Sequence, residues 1–295
     1  MFKQISIFLA AVALLASCSI KEDRTMCNFT APVTVKVNHF SISQDDFPDS
    51  KATAIGTYND VKAITLAFYS SSGSEAYKHT QLKDALEEDE TFGEFSTTLP
   101  LGSYTMVVLG YKLLEGDELS LTSPTQAEFS AGNVRETFAA TQVVNVNTTD
   151  AVNLDATLDR IVSKLQVLST DGKTAIVSNV RMTFSAGSKA FNPTTGLATS
   201  NTGVVTTVGS SYAVGATTIS NAQVFLATDE QTMDVTIETL DSEGNTLFSK
   251  TVEDVPFKRN RVTKLTGKMY TNDSVSASSF QLNTDWLIEE DPINF

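Results

Sequence analysis

The side chains that could carry out catalysis are few in this sequence. It has two histidines among 295 residues, His39 and His79, and histidine is the side chain that most readily moves a proton near neutral pH. There is no His-Glu-x-x-His metal motif, no Gly-x-Ser-x-Gly nucleophile elbow and no phosphate-binding loop. A serine–histidine–acid triad stays open, because its members meet only in the folded chain. Carboxylate pairs are uninformative because there are 35 acidic residues. We therefore predict a protein that is not an enzyme, with no catalytic residues, no metal site and no cofactor.

The thiol of Cys18 is the group with the clearest chemistry. It follows one early lysine, an apolar run over residues 5–15 and the small residues Ala16 and Ser17. This order marks a secretory signal peptide, and the run is shorter than the roughly 20 residues of a membrane-spanning helix. The tetrapeptide Leu15-Ala16-Ser17-Cys18 resembles the lipobox of bacterial lipoproteins, in which cleavage precedes the cysteine. The sequence thus predicts a signal peptide over 1–17 and a lipid, such as palmitate, on Cys18; stable anchoring takes more than one acyl chain.

A charged triplet follows the predicted lipid site. Lys21, Glu22 and Asp23 look like the signal that sends lipoproteins to the surface of Gram-negative anaerobes. The alternative is a solvated linker that carries a chance charge cluster. In both cases we expect residues 18–30 to form a tether. The predicted location is the outer membrane, with the protein lipid-anchored and exposed at the cell surface.

Composition narrows the class of protein and its partners. The chain is 41% hydrophobic and 19% charged, which is typical of a globular protein, and its net charge is −14. An acidic surface repels phosphate backbones, so nucleic acid is not expected as a partner. Once Cys18 is lipidated, Cys27 has no partner within the chain. A disulfide framework is excluded, and Cys27 is expected to be a small packed residue rather than a reactive thiol.

Strand patterns dominate the mature chain. Val33, Val35 and Val37 alternate with polar residues, which predicts a half-buried strand. A hairpin is predicted where the apolar residues of 233–237 lead through residues 241–245 into 247–252. Many such short strands with frequent turns indicate an all-β fold of antiparallel sandwiches.

Three segments of the chain predict local structure other than a strand. The Asp171-Gly172 pair predicts a hairpin turn between 161–169 and 176–184. Leu82, Ala85 and Leu86 share one helical face, so a helix is expected over Thr80–Glu90. Residues 44–58 are polar and are expected to form a loop.

A change of hydrophobic phase indicates two domains. Val152, Leu154, Ala156 and Leu158 are apolar at even positions, whereas Ile161, Leu165 and Val167 are apolar at odd positions. A shift of one residue turns the opposite face of a strand inward, which a change from one core to another would explain. We predict an N-terminal sandwich over 31–158 and a C-terminal sandwich with a terminal strand over 159–295.

Five segments resemble one known family. They are Cys18–Cys27 with Glu22-Asp23, Leu99-Pro100-Leu101-Gly102-Ser103-Tyr104, Leu158-Asp159-Arg160-Ile161-Val162-Ser163-Lys164, residues 257–267 and Trp286-Leu287. In this order they are similar to the FimB-type fimbrial anchor subunits, also called fimbrillin-A associated anchor proteins. The resemblance implies two tandem antiparallel transthyretin-like or immunoglobulin-like β-sandwich domains. It also implies an outer-membrane-anchored fimbrial subunit that anchors or terminates a fimbria, partners other fimbrial subunits by β-strand addition and supports adhesion.

Several functional alternatives remain open. Stalk fimbrillins share the 257–267 motif, so the choice between an anchor and a stalk subunit stays open. A surface glycan-binding lipoprotein is a second functional class. Sugar platforms need exposed aromatic rings, and Trp286 is the one tryptophan. Asp273-Ser274-Val275 resembles an O-glycosylation acceptor of these bacteria, which makes Ser274 a candidate site. The C-terminal tail either completes its own domain or adds as a strand to a neighbour.

Overall fold

The computed structural model describes residues 29–42, 51–54, 59–130, 133–271 and 281–287. Regular structure in these ranges is entirely β-strand, which confirms the all-β prediction. None of the described residues belongs to a helix long and apolar enough to cross a membrane. The strands are β1 (Thr30–Ile42), β2 (Lys51–Ala54), β3 (Ala63–Ser70), β4 (Glu75–Leu82), β5 (Glu94–Pro100), β6 (Gly102–Tyr111), β7 (Leu119–Ser123), β8 (Gln126–Phe129), β9 (Thr137–Val146), β10 (Val152–Arg160), β11 (Ser163–Ser169), β12 (Asn179–Phe184), β13 (Ala190–Asn192), β14 (Leu197–Ala198), β15 (Val204–Gly209), β16 (Ile219–Val224), β17 (Glu230–Leu240), β18 (Thr246–Lys258), β19 (Val262–Gly267) and β20 (Gln281–Leu287).

The N-terminal strands form one sheet that closes into two layers. Its order is β2-β1-β10-β9-β6-β3-β4, and β5 also pairs with β1. β10 runs parallel to β1 along most of its length but reaches β9 only through Asp159 and Arg160. The two layers enclose an apolar core to which β1 contributes Val35 and Phe40, β3 contributes Leu66 and β5 contributes Phe95.

The C-terminal strands form a second sandwich. One sheet has the order β16-β11-β19-β20 and the other the order β15-β12-β17-β18. The predicted β17–β18 hairpin is confirmed, with a turn in which the Asp241 carboxylate accepts hydrogen bonds from the amides of Glu243 and Asn245, both at 2.9 Å. The sheets are mainly antiparallel, but β1–β10 and β11–β19 pair in parallel.

A third, smaller sheet joins the two halves of the chain. Its order is β14-β13-β8-β7, so the hairpin from residues 119–129 pairs with a strand from residues 190–192. Behind this sheet the Phe225 ring stacks on Phe191 at 4.2 Å and on Phe129 at 6.4 Å between centroids. The halves are therefore connected by backbone hydrogen bonds and by one shared apolar cluster.

The change of hydrophobic phase coincides with a change of core. Leu158 packs in the cluster of the N-terminal sandwich, whereas Ile161 packs in the cluster shared with the C-terminal strands. The predicted domain boundary near residue 158 falls between these side chains and stays a prediction.

The predicted helix over Thr80–Glu90 is wrong. Thr80 to Leu82 complete β4, and residues 83–93 form turns. The buried Gln81 side chain explains the difference, because its amide nitrogen donates to the Glu94 carbonyl at 2.9 Å and its oxygen accepts from the Gly93 amide at 2.8 Å. These tertiary bonds hold Gln81 in a strand, and a helical periodicity of three residues is too weak to compete with them.

The other two local predictions also change. Residues 51–54 of the expected 44–58 loop form β2, while 43–50 and 55–58 lie outside the described residues. The hairpin expected at Asp171-Gly172 is wrong, because β11 pairs with β16 and β19, whereas β12 pairs with β15 and β17. The flanking strands belong to different sheets, so the segment that contains Asp171 crosses between layers.

Asp171 has a different role, as an anchor for the chain that follows β19. Its carboxylate accepts hydrogen bonds from the amides of Met269, Tyr270 and Thr271 at 2.8, 2.9 and 2.8 Å. Burial raises the pKa of Asp171, but these bonds and one from the Thr271 hydroxyl outweigh burial and lower it overall. The ionised carboxylate is thus the form that the fold prefers.

We expect Asp171→Ala to lower the free energy of unfolding by about 2–3 kcal/mol, because two half-buried amides and one exposed amide lose a charged acceptor. Since the pKa is lower in the folded state, the Asp171 contribution is present at neutral pH and is lost as the pH falls through the lowered value. Urea unfolding at pH 7 and at acid pH measures both effects. Asp89→Ala, at an exposed turn position, is the control for a general loss of negative charge.

Candidate assembly interface

The first strand of the described chain is paired along both edges. β1 lies antiparallel to β5 through residues 30–36 and parallel to β10 through residues 33–41. Val33, Val35 and Val37 point into the core and are at most 2% exposed, as their alternation predicts. This position makes β1 an interior strand whose removal would expose an apolar groove between β5 and β10.

Polar contacts fix the register of β1 in this groove. The Lys36 ammonium forms an ion pair with Glu94 at 2.6 Å, and the hydrogen bond and charge of Glu94 raise the pKa of Lys36. The Asn38 amide group donates to the Asp155 carboxylate at 2.8 Å. The register shifts between Val37 and His39, so a bulge lies at the centre of the strand.

The second half of β1 is anchored by an aromatic side chain. Phe40 is fully buried, and its ring lies 4.9 Å from that of Phe138. The opposite wall is the backbone of Gly110, where a Cβ atom would come within 2.8 Å of the Phe40 ring. The groove is therefore shaped for this strand, since any larger residue at 110 would displace the ring.

Cleavage sites for trypsin-like proteases are protected near β1. The Lys36 backbone is paired with both neighbours, at Glu94 on β5 and Asp155 on β10. Lys51 lies in β2, where it pairs with Ile42. Arg135 is the first arginine after Arg24. Its side chain donates two hydrogen bonds, of 2.6 and 3.1 Å, to the Asp117 carboxylate. Proteases need an extended, unpaired backbone, which the doubly paired Lys36 does not offer.

The last described strand lies at an edge. β20 pairs antiparallel with β19, and Leu287 lies opposite Val262. Residues 281–287 thus complete the protein's own C-terminal sheet, the first of the two alternatives for the tail. The outer edge of β20 ends the sheet order in the described part of the chain, and an unpaired edge can accept another strand.

The edge strand β18 is less suited to strand addition. Glu253 and Asp254 are exposed, and Asp254 has a positive φ of 55°. The Asp254 amide donates to the Asp234 carboxylate at 3.0 Å, which stabilises this bulge. Bulges and charges of this kind protect an edge against unwanted pairing, so β20 is the better candidate for contact with another subunit.

Several predicted site residues lie outside the described residues. These are Cys18, Lys21, Glu22, Asp23 and Ser274, which stay predictions. The Trp286 backbone lies in β20. Sequence reasoning missed the Gly110 wall and the double pairing of β1, although the valine alternation indicates that the strand is buried.

The two histidines lie on different strands of the N-terminal sheet, His39 on β1 and His79 on β4. His79 Nε2 lies 2.6 Å from Glu90, and the amide of Glu87 together with His79 lowers the pKa of Glu90. His39 is exposed on β1. Among the residues that the structure describes, no three His, Cys, Asp or Glu side chains are grouped to hold a metal ion.

An open polar cleft of about 800 Å³ lies where the two halves meet. Its rim carries two ion pairs, Lys258–Glu230 at 3.1 Å and Arg259–Asp229 at 2.9 Å. None of the described residues that line the cleft is aromatic. The described lining of the cleft therefore does not supply the flat rings on which sugars stack.

Comparison with known proteins places the chain among proteins of the same fold. The model of the family of unknown function DUF6562 matches residues 29–290. A crystal structure of a candidate adhesin from Bacteroides ovatus is similar with 11% identity and a TM-score of 0.51, over 81% of this chain and 89% of the adhesin. The fimbrial anchor protein Mfa2 from Porphyromonas gingivalis is similar with 13% identity and a TM-score of 0.50, over 88% of this chain and 99% of Mfa2. A search of curated proteins finds no match. The resemblance to the fimbrial anchor family is thus confirmed at the level of the fold.

Proposed function

The chain belongs to the family of unknown function DUF6562, and we propose that it is an outer-membrane-anchored fimbrial subunit that forms the base or the end of a fimbria. The observation that carries the proposal is the position of β1, which fills its own groove and is paired on both edges. A subunit that keeps this strand has no open groove for the strand of another subunit. It would therefore end the chain of subunits at this side.

The distribution of arginine supports retention of the first strand. In the stalk subunits that the sequence resembles, an arginine-specific protease removes the leader and first strand. Here no arginine lies between Arg24 and Arg135, so cleavage at Arg24 would leave β1 in place. Arg135 is held by Asp117, which is itself almost fully buried.

Strand addition at the other end would connect the protein to the fimbria. β20 ends its sheet in the described part of the chain, and main-chain hydrogen bonds along such an edge provide affinity in strand addition. The partners are other fimbrial subunits, which the fold of Mfa2 and the sequence motifs support. The role is structural and adhesive rather than enzymatic.

Membrane attachment would come from the lipid on Cys18, and the Lys21-Glu22-Asp23 triplet would direct the protein to the surface. We expect Cys18→Ala either to stop processing of the precursor or to release the protein from membranes, because the acyl chains would be missing. Fractionation of cells followed by immunoblotting measures this. Cys27→Ala is the matched control, which should stay membrane-bound. A Cys18→Ala protein that stays on membranes at the wild-type level would overturn the lipid anchor.

Isolation of the native protein tests the proposed role directly. We expect it to co-purify with fimbrial subunits after gentle membrane solubilisation. A glycan array with the mature protein tests the alternative, a glycan-binding lipoprotein. Binding to a defined glycan without any fimbrial partner would favour that alternative, for which the open polar cleft, with no aromatic ring among its described lining residues, is a poor platform.

A further inference from the structure

The strand β9 has a stretch of edge that pairs with no other strand of the described chain. On one side β9 pairs with β6 along its whole length, from Thr137 to Val146. On the other side it meets β10 at only two positions, Phe138 and Ala139. Beyond this contact the two strands separate into the two layers of the N-terminal sandwich, because β10 lies beside β1. We call residues 140–146, which follow the contact, the β9 edge.

The hydrogen-bond register fixes which main-chain groups of the β9 edge point outward. On the β6 side of the strand, the Lys112 amide donates to the Glu136 carbonyl at 3.0 Å. On the β10 side, the Ile161 amide donates to the Thr137 carbonyl at 3.0 Å. The two sides alternate along an antiparallel strand, so the even-numbered residues bond to β6 and the odd-numbered ones face away from it. The outward main-chain groups are those of Thr141, Val143 and Asn145.

Solvent space lies beside this edge. The open cleft of about 800 Å³ is lined by Ala140 and Thr141 of β9 and by Thr157 of β10, so it separates the two strands where they diverge. Farther along β9, the Val143 side chain is 66% exposed, although valine is among the residues most often buried. The middle of the β9 edge is therefore accessible to another molecule.

The β9 edge lacks the features that protect other edges against pairing. Residues 137–149 include no charged side chain, no proline and no glycine, in a chain of which 19% is charged. By contrast, the edge strand β4 carries Glu75 and Lys78, and β18 carries Glu253 and Asp254. Two copies of a chain with a net charge of −14 repel each other, and this repulsion is weakest where neither surface is charged.

The β9 edge is complementary to itself. Residues 140–146 are centred on Val143, so two copies related by a two-fold axis would pair antiparallel with Val143 opposite its own counterpart. Thr141 would then face Asn145, and about six main-chain hydrogen bonds would form. A pair of β-branched side chains across antiparallel strands is favourable. β9 ends at Val146, so the partner's chain turns away before it would meet the contact with β10.

We propose that two copies of this chain associate through the β9 edge, antiparallel and centred on Val143. The layer β9-β6-β3-β4 of one copy would continue into the same layer of the other as one sheet. A contact of one short strand from each copy is smaller than the roughly 1,200 Å² of stable complexes, so the dimer is expected to be reversible. This inference does not depend on the lipid anchor or on fimbrial assembly, and its tests use the purified chain.

Disulfide trapping tests the register of the pairing. The background is the mature full-length chain with Cys18→Ser and Cys27→Ser, which contains no thiol. In this background we expect Val143→Cys to form a covalent dimer in a glutathione redox buffer, measured by non-reducing electrophoresis. The Cα atoms of a hydrogen-bonded antiparallel pair lie about 5.5 Å apart, which suits a disulfide.

Asn145→Cys is the matched control for this experiment. Asn145 is exposed on the same strand, but its counterpart would lie about 13 Å away, four residues along the partner strand. It should form no covalent dimer alone, whereas a mixture of Thr141→Cys and Asn145→Cys chains should form one. Equal yields from Val143→Cys and Asn145→Cys, or no covalent dimer from Val143→Cys, would overturn the proposal.

Sedimentation equilibrium of the thiol-free chain measures the association without a covalent bond. We expect a dimer whose fraction rises with concentration, and we expect Val143→Lys to weaken it by about tenfold because like charges would face each other. Val205→Lys is the matched control, since Val205 is 53% exposed on another edge strand, β15. A thiol-free chain that stays monomeric, or a dimer that Val205→Lys weakens and Val143→Lys does not, would contradict the proposal.

A charge exchange makes the test specific to the two-fold pairing. Val143→Lys and Val143→Glu should each associate weakly alone, and their mixture should form a heterodimer because opposite charges would then face each other. Both variants should keep the Tm of the parent chain, since the Val143 side chain is exposed. A mixture that associates no better than either variant alone would overturn the pairing of Val143 with its own counterpart.

Discussion

Replacement of Val35 by aspartate is expected to abolish folding of the N-terminal sandwich. Val35 is fully buried on β1 between Phe95 on β5 and Leu154 on β10. A carboxylate at this position would lie in an apolar core without a cationic partner. An uncompensated buried charge costs about 3–5 kcal/mol. This loss approaches the lower end of the 5–15 kcal/mol by which a typical domain is stable.

Circular dichroism and urea unfolding of the mature chain measure the effect. Thr34→Asp is the matched control, because Thr34 lies on the same strand with its side chain exposed. We expect the control to unfold like the wild type and Val35→Asp to lack the native transition. A Val35→Asp protein with a normal transition would mean that β1 is not a core strand. The proposal that the subunit keeps β1 in its own groove would then be wrong.

Replacement of Phe225 by alanine is expected to give the second large effect. Phe225 is fully buried and stacks against Phe191 and Phe129, which come from the two halves of the chain. Removal of a buried phenylalanine ring costs about 3–5 kcal/mol, because the cavity cannot close between packed neighbours. For a chain of this size the Tm should fall by roughly 10 °C.

Differential scanning calorimetry separates this effect from a general loss of aromatic surface. Phe29→Ala removes the same ring from a position that is 61% exposed, and it should change the Tm by no more than about 1 °C. A Phe225→Ala Tm within 2 °C of the wild type would contradict the packing that joins the halves.

Local patterns predict part of this fold well. The valines of β1 are buried because side chains alternate between the faces of a strand. The β17–β18 hairpin is predictable because its turn, Asp241–Asn245, carries residues that bond to their own backbone. Both features depend on residues that are close in sequence.

Features that depend on distant residues leave no local signal. The parallel pairing of β1 with β10 joins residues such as Val35 and Leu154, and the short strands β13 and β14 lie in a stretch with loop-like composition. The false helix at Thr80–Glu90 has the same origin, because Gln81 is fixed by Gly93 and Glu94 across a turn. The small polar pocket lined by residues between Asp60 and Arg261 was also not predictable, because its walls come from distant parts of the chain.

Mass spectrometry of the N-terminus of protein from intact cells shows whether the subunit keeps its own first strand. We expect the dominant form to begin at lipid-modified Cys18, with the peptides of β1 present in full. A form cut at Arg24 that keeps Thr30–Ile42 would remove the anchor but preserve the filled groove. A dominant start beyond residue 40 would show that the first strand is removed, and it would contradict the proposal that this subunit keeps its own strand and ends the fimbria.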